Sequence, residues 1–585
     1  MERRGDRYDV VVVGSGFGGS VAALRLTEKG YRVAVLEAGR RFADHEFART
    51  SWDLRRFLWS PRLGCYGIQR IHRVSDSLVL AGAGVGGGSL VYANTLYEPL
   101  PAFFADPQWA GITDWAAELA PWYDQASRML GVRPNPTTTA SDVLFRTVAE
   151  RMGVGGTVRP APVGVVFGRP GERVADPFFG GVGPERTACT ECGACMTGCR
   201  VGAKNTLVKN YLHLAERAGA DVVPLTTVTR LVPTGDGWRV EARGTADRRR
   251  TLWYADQVVL AAGTYHTQLL LHRARHRGDL RVSDRLGTAT RTNSEALVGA
   301  SAPRPDLARP LSRGVAITSS FYPDARTHVE PVRYAAGSNA MALLQTVLTT
   351  GGPRRTRWLR ILGTWLGELA RRPVTSVRSR VPYRWSERTA IALVMQALDN
   401  SLVTSARRGL GGWRLVSRQG PGEPSPTWIP AADRAARLLA EELGGVPGSS
   451  WGDVANMPLT AHFIGGCPIG ADARSGVLDP YQRVHGHPTL HVLDGAAVSA
   501  NLGVNPSLTI TAMAERAVAL WPNRGDDDAR PADQTRYVRL DPVPPRAPAV
   551  PSDAPAALRP RTAREVSPRG GPGSRPSRPG PTGRS

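Results

Sequence analysis

Apolar positions open the chain as one compact run, Tyr8-Asp9-Val10-Val11-Val12-Val13, which stops at the turn Gly14-Ser15-Gly16-Phe17-Gly18-Gly19. The spacing then changes. Val21, Leu24 and Leu26 recur at helical intervals before a second run, Tyr31-Arg32-Val33-Ala34-Val35-Leu36, which ends at Glu37. A short apolar run reads as a buried strand, and recurrence every three or four residues as one face of a helix. Residues 8–37 therefore predict strand, turn, helix and strand, a βαβ unit. Farther along, Asp221–Leu225 and Trp253–Leu260 predict strands, and Leu508 to Leu520 predicts a closing helix. Residues 296–454 are less regular and richer in aromatics. Within them, Trp358, Ile361, Leu362, Trp365, Leu366 and Leu369 share one helical face, flanked by Arg354, Arg355, Arg357, Arg360, Arg371 and Arg372. Such a basic amphipathic helix either lies at a membrane interface or packs on a neighbouring domain. From Arg524 to Ser585 the text is Pro, Arg, Ser, Gly and Ala with little apolar spacing, which predicts a disordered tail.

Composition narrows the class. With 585 residues, 42% hydrophobic and 21% charged, the chain is neither wholly disordered nor collagen-like, and it is long enough for more than one domain. No stretch approaches the roughly 20 apolar residues of a spanning helix. Met1-Glu2-Arg3-Arg4 before the first run imitates a secretion signal, but cleavage there would destroy the glycine turn. The expectation is a cytoplasmic protein without a signal peptide or transmembrane segment. The 74 Lys+Arg exceed the 51 Asp+Glu by 23, yet the only lysines are Lys29, Lys204 and Lys209. Arginine spread this evenly argues against a nucleic-acid stripe and for attraction to anionic surfaces such as lipid headgroups. Six cysteines in so long a chain do not make a disulfide framework.

The spacing Gly14-x-Gly16-x-x-Gly19 permits a tight turn and close backbone approach to a pyrophosphate at a helix amino end. Glu37, eighteen residues after Gly19, stands where an acid accepts hydrogen bonds from ribose hydroxyls. That unit alone leaves NAD and FAD open. A second glycine loop, Ala81-Gly82-Ala83-Gly84-Val85-Gly86-Gly87-Gly88-Ser89-Leu90, suits a large planar cofactor and favours FAD. It is followed by a small-residue turn at Ala261-Ala262-Gly263-Thr264. Near the end stand Ala461-His462-Phe463-Ile464-Gly465-Gly466-Cys467, Val492-Leu493-Asp494-Gly495, and Gly503-Val504-Asn505-Pro506-Ser507-Leu508-Thr509.

Taken together, these segments resemble the glucose–methanol–choline family of flavin oxidoreductases, in its cholesterol-oxidase-like branch. The resemblance runs in order from about residue 8 to 521 and is weakest in the middle third. It implies an α/β fold: a Rossmann-type FAD domain built from residues 1–45, 75–95, 205–295 and 455–523, capped by a mixed-sheet α+β substrate domain from 46–74, 96–204 and 296–454. It implies that FAD is held by Gly14, Gly16, Phe17, Gly18, Gly19 and Glu37, by Gly84, Gly86, Gly87, Gly88, Ser89 and Asn94, and by Val228, Gly263, Asp494, Gly495, Asn505 and Pro506. His462 falls on the family's active-site histidine and Asn505 on its partner asparagine. Alcohol oxidation removes a hydroxyl proton and a hydride. A histidine accepts the first near neutral pH, while an amide orients the oxygen. Read alone, His462 is a core histidine and Asn505 a turn residue before proline. The implied substrate is a hydrophobic secondary alcohol such as a 3-hydroxysteroid, with O2 or another electron acceptor completing the cycle. Family members of this branch also move the steroid double bond with a carboxylate, for which Glu387 lies near the expected place. The chain departs from the pattern at Phe463, where a proline is usual, and at Leu90-Val91-Tyr92-Ala93-Asn94. Other readings of the same text are a dehydrogenase for a different alcohol and a flavin electron-transfer protein.

The run Cys189-x-x-Cys192-x-x-Cys195-x-x-x-Cys199 has the spacing of bacterial ferredoxins, with Arg200 in place of the usual proline. An iron–sulfur cluster, a zinc site, thiols packed in a loop near the flavin and a metal site lost from an ancestor are the readings of it.

Overall fold

Val10, Val11, Val12 and Val13 lie between two parallel neighbours, with Val12 opposite Val35 on one side and Val259 on the other. Valines buried on both faces are what a helix-covered parallel sheet requires. The computed structural model describes residues 3–75, 77–353, 356–409, 412–452, 457 and 459–559. Arg354, Arg355, residues 455–456 and residues 560–585, all named above, lie outside the described residues.

The opening strand Arg3–Val13 sits inside an eight-stranded sheet. The order runs Asp221–Val223, Val33–Leu36, Arg3–Val13, Arg250–Leu260, Gly237–Gly244 and Thr226–Thr234; His487–Val492 also pairs with Arg250–Leu260, and Arg483–Val484 with His487–Val492. Strands 3–13, 33–36, 221–223, 250–260 and 487–492 are parallel, whereas 226–234 and 237–244 form an antiparallel extension. The predicted helix is Phe17–Glu28, and it packs on the predicted closing helix, Ser507–Ala519. Arg25 locks that contact, pairing with Glu28 and Glu515 at 2.8 Å each in a site the Tyr211 hydroxyl also enters.

A seven-stranded sheet forms the second body: Gln345–Val347, Val446–Ser450, Ala296–Ser301, Thr389–Gln396, Thr327–Val332, Ser319–Asp324 and Arg159–Pro160. Every pairing in it is antiparallel, so the mixed sheet is the dinucleotide sheet and not the cap. Strand alternation divides its faces. Ala390, Ala392 and Val394 pack under the helix Pro430–Glu442, and Ile391 and Leu393 face the opposite way.

Two boundaries differ from expectation. The strands Gln69–Val74 and Ser77–Gly82 form one hairpin, so a domain boundary at 74/75 cuts a single element. The segment from 524 to 559, read from composition as disordered, is packed. Arg530 stacks on Trp521, Tyr537 donates to Glu118 at 2.7 Å, Asp533 takes His485 at 2.6 Å, and Ala556 and Ala557 are buried. It adheres through polar contacts to buried partners on the body, which a count of apolar residues does not register.

Candidate active site

The first glycine turn opens onto a cavity of about 1030 Å³. That is at the upper limit of the roughly 300–1,000 Å³ usual for one small ligand, leaving room for a dinucleotide and a substrate. Gly14 has φ +100°, and a Cβ there would stand 2.3 Å from the Ala261 carbonyl oxygen. At Gly16 a Cβ would meet nothing within 4 Å, so that glycine keeps the approach to the cavity clear. Glu37 accepts from the Ser15 N–H at 3.1 Å, the Ser15 hydroxyl at 2.7 Å and the Gly39 N–H at 2.8 Å, which fixes its carboxylate at the cavity wall.

Most residues expected to hold FAD meet here. Gly14, Gly16, Phe17, Gly18, Glu37, Gly87, Gly88, Val228, Gly263, Asp494, Gly495, Asn505 and Pro506 all line this cavity, as does His462. Gly19, Gly84, Gly86 and Ser89 stand behind the lining and shape the turns: the Ser89 hydroxyl donates to the Gly86 carbonyl at 2.7 Å and accepts from the Leu207 N–H at 3.0 Å. Asn94 points elsewhere, into the cysteine loop described below. Asp494 caps the turn at Gly495, accepting from the Ala496 N–H at 2.8 Å and the Thr267 hydroxyl at 2.5 Å. Burial pushes its carboxyl up to about 6. These features fit the adenine, ribose, pyrophosphate and ring portions of FAD: two glycine turns, an acid on the ribose side, and the amino end of the helix Ser507–Ala519 at the cavity.

At the far end His462 Nδ1 abuts the Glu295 carboxylate. Glu295 is held in turn by the Ala461 N–H at 2.7 Å. A carboxylate on Nδ1 fixes the tautomer with its proton there and leaves Nε2 as the acceptor. Nε2 lies 3.4 Å from Asn505 Nδ2, and the same nitrogen donates to Glu330 Oε2 at 3.3 Å. Among the described residues the buried Asn505 carbonyl oxygen has no hydrogen-bond partner. Glu330 is fully enclosed, and burial, reinforced by Glu295, raises its carboxyl to about 8, so it carries a proton at neutral pH. Asn293 couples the two loops, donating to the Val504 carbonyl and accepting from the Gly503 N–H, both at 2.8 Å. The wall opposite is apolar: Leu297, Ile317, Val332, Tyr334, Ile391 and Leu393.

Glu387 is not part of this site. It lies on the short helix Trp385–Arg388 and pairs with Arg384 at 3.4 Å, and Trp385 lines the cavity in its place. The carboxyls beside His462 and Asn505 are Glu295 and Glu330. No motif surrounds Glu295; for Glu330 the signal was a polar pair, His328 and Glu330, both on one face of an otherwise apolar strand.

The iron–sulfur expectation is not met. Cys189, Cys192, Cys195 and Cys199 are free thiols around a void of about 10 Å³ shared with Asn94 and Lys204. Among the described residues no group of three or more His, Cys, Asp or Glu is arranged to hold a metal ion. Burial lifts the Cys189 thiol strongly and the Cys195 thiol to about 11, which keeps both protonated. Lys204 is the strut of the loop, donating to the carbonyls of Leu90 at 3.0 Å, Tyr92 at 2.7 Å and Cys195 at 2.9 Å.

A flavoprotein site ending in a histidine–asparagine pair defines the class, and the comparisons agree with it. Family models described as GMC oxidoreductase match residues 181–276 and 429–514, and an FAD binding domain model matches residues 9–52. The chain belongs to the GMC oxidoreductase family, in its cholesterol-oxidase-like branch, and FAD is its cofactor. It is 59% identical over 569 residues to a cholesterol oxidase of Mycobacterium tuberculosis (strain ATCC 25618 / H37Rv), covering 94% of this chain and 97% of that one. A cholesterol oxidase of Acinetobacter baumannii is 39% identical over 554 residues, with 91% and 98% covered. Among solved structures, pyridoxine 4-oxidase from Mesorbium loti superposes with a TM-score of 0.57 at 17% identity, covering 87% of this chain and 98% of that one, a likeness of fold.

Proposed function

We propose that this protein oxidises the 3-hydroxyl of a sterol, cholesterol being the reference substrate, to the ketone. The observation that supports this most directly is the row Glu295, His462 and Asn505 at the base of an apolar cavity that continues from the glycine turns. Relatives named cholesterol oxidase, matched over nearly their whole length, support the substrate class. FAD held there would supply the hydride acceptor for the carbinol carbon, and its two electrons and one proton, with the hydroxyl proton taken by His462, would reduce O2 to hydrogen peroxide. His462 Nε2 takes the hydroxyl proton, Glu295 stabilises the resulting imidazolium, and Asn505 holds the substrate oxygen. A later shift of the steroid double bond requires a carboxylate to carry a proton between ring carbons, and Glu295, which lines the cavity, is the group in reach.

Contact with a membrane is part of the proposal, because a sterol resides there. The helix Arg357–Arg371 presents Trp358, Leu362, Trp365 and Leu366 to solvent while Arg357 is buried against the Thr427 carbonyl. A helix packed on its own domain has the opposite arrangement. Arg360, Arg371 and Arg372 flank the apolar face with charge suited to anionic lipid. Among the described residues no helix is long and apolar enough to cross a membrane.

The test is the visible spectrum of anaerobic protein before and after adding cholesterol. Flavin bands that bleach and return with air are expected. Bands that persist unchanged would exclude cholesterol as the substrate.

A further inference from the structure

One wall of the cavity carries a cation that the oxidation chemistry does not use. Arg70 stands on the strand Gln69–Val74, directly across the ladder from Ala81 and one position from Gly82. Gly82 packs on Gly87, where a Cβ would meet the Gly87 carbonyl oxygen at 2.5 Å, and Gly87 packs on Gly16, with only 2.7 Å to its Cα. Arg70 therefore lines the cavity beside the place where the two glycine turns meet.

The protein leaves that charge unbalanced. Among the described residues no carboxylate pairs with Arg70. Its guanidinium lies 4.9 Å from the Trp59 ring centre, and Nη1 is 3.4 Å from His266 Nδ1. His266, in the first turn of the helix Thr264–Arg277, is held neutral by burial and by the neighbouring Arg70 charge. His72 stacks on Tyr265 with ring centres 3.9 Å apart and is pushed down to about 3 by the same two causes. Glu37 is the acid whose charge reaches Arg70, but its oxygens are already taken by Ser15 and Gly39. The other cavity arginine on a strand, Arg243, pairs in register with Thr227 beside Val228 and so belongs to a different part of the wall.

A half-buried cation without a paired acid is costly unless a ligand brings the counter-charge. The glycine turns offer N–H dipoles to a pyrophosphate but no formal charge. We propose that Arg70, steadied by His266 and Trp59, is the positioning residue that pairs with the FAD pyrophosphate. The inference rests on the FAD assignment. A planar guanidinium binds phosphate oxygens with two parallel hydrogen bonds, which an ammonium cannot reproduce.

The experiment uses full-length holoprotein, with Arg70→Gln and Arg70→Lys beside the parent. The readouts are the phosphorus NMR resonances of bound FAD and the rate of FAD release, followed by flavin fluorescence at rising salt. Expected are pyrophosphate resonances displaced from free FAD in the parent, at least one moving back in Arg70→Gln, and release about 10-fold or more faster, from a charge-assisted bond in a partly buried site. Arg70→Lys falls between the two, and release from the parent depends more steeply on salt than release from Arg70→Gln. If Arg70→Gln retains no flavin, Arg70→Lys decides, because it keeps the charge. The proposal is overturned if Arg70→Gln leaves resonances and release unchanged, or if Arg70→Lys behaves like Arg70→Gln. Parent protein that binds no FAD at all would overturn the cofactor assignment instead.

Discussion

Asn505 Nδ2 donates to Glu330 Oε2 at 3.3 Å while lying 3.4 Å from His462 Nε2, so one amide joins a proton-bearing carboxyl to the acceptor nitrogen of the imidazole. The amide's orientation, and with it the position of the substrate oxygen, is thereby set from behind by a carboxyl.

That carboxyl leaves a signature in stability. Its ordinary value is 4.5 and its folded value about 8. Between those limits the folded protein keeps a proton that the unfolded chain has lost, so stability declines as pH rises through that window and levels off above it. Glu330→Gln removes this contribution. The variant's melting temperature is expected to vary less between pH 5 and pH 8.5 than the parent's, a gain on the order of a few kcal/mol at the upper end. Thermal melts at both pH values check it, and parallel pH slopes for the two proteins would sink the assignment.

Removing the proton acceptor's support is expected to be equally specific. Glu295→Gln leaves His462 without a carboxylate on Nδ1, and turnover falls by about 100-fold or more, with the flavin spectrum retained. Glu387→Gln, at a side chain that neither lines the cavity nor touches His462 or Asn505, changes turnover less than about twofold. Steady-state rates on solubilised cholesterol separate the two carboxylates, and a loss at Glu387 matching that at Glu295 would contradict the geometry.

The packed segment after residue 523 has a measurable weight. Tyr537→Phe deprives Glu118 of a 2.7 Å hydrogen bond and Arg516 of one at 3.0 Å, both at buried side chains. The expected loss is about 1–3 kcal/mol, read in a denaturant titration. A freely moving tail would give no loss.

Trp358 and Trp365 are half-exposed on a helix that buries little of its apolar face. Changing both to Ser is expected to reduce co-sedimentation with phosphatidylserine-containing vesicles by about 10-fold, in line with the loss of two buried aromatic side chains at an interface. Turnover on detergent-solubilised sterol stays the same. Equal sedimentation of variant and parent would remove this helix from membrane contact.

The sequence made the dinucleotide unit legible because each of its parts is local. The run ending at Val13, the turn at Gly14 and the acid at Glu37 are fixed by spacing, and they appear in the structure where spacing put them. His462 and Asn505 were readable through their motifs, and their meeting at 3.4 Å follows from those motifs being on adjoining loops. Glu295 was not readable because no motif surrounds it, and Glu330 left only its polar pair with His328; the two carboxyls, 35 residues apart in sequence, come together beside His462 and Asn505 only through the fold. Glu387 misled because a four-residue helix decides by a single turn which of its side chains faces inward. The cysteine run misled because spacing between thiols carries no information about the direction in which they point.

The dinucleotide sheet also imposes an order on biosynthesis. The strand Arg3–Val13 emerges from the ribosome first, yet its neighbour Arg250–Leu260 follows some two hundred residues later, and that strand's own partner, His487–Val492, later still. Ala547 and Ala549 then bind back onto Glu28. A nascent chain interrupted before Ile510 holds the glycine turn without its completed walls. Closure of the flavin cavity therefore waits on the helix Ser507–Ala519, whose first residues line it.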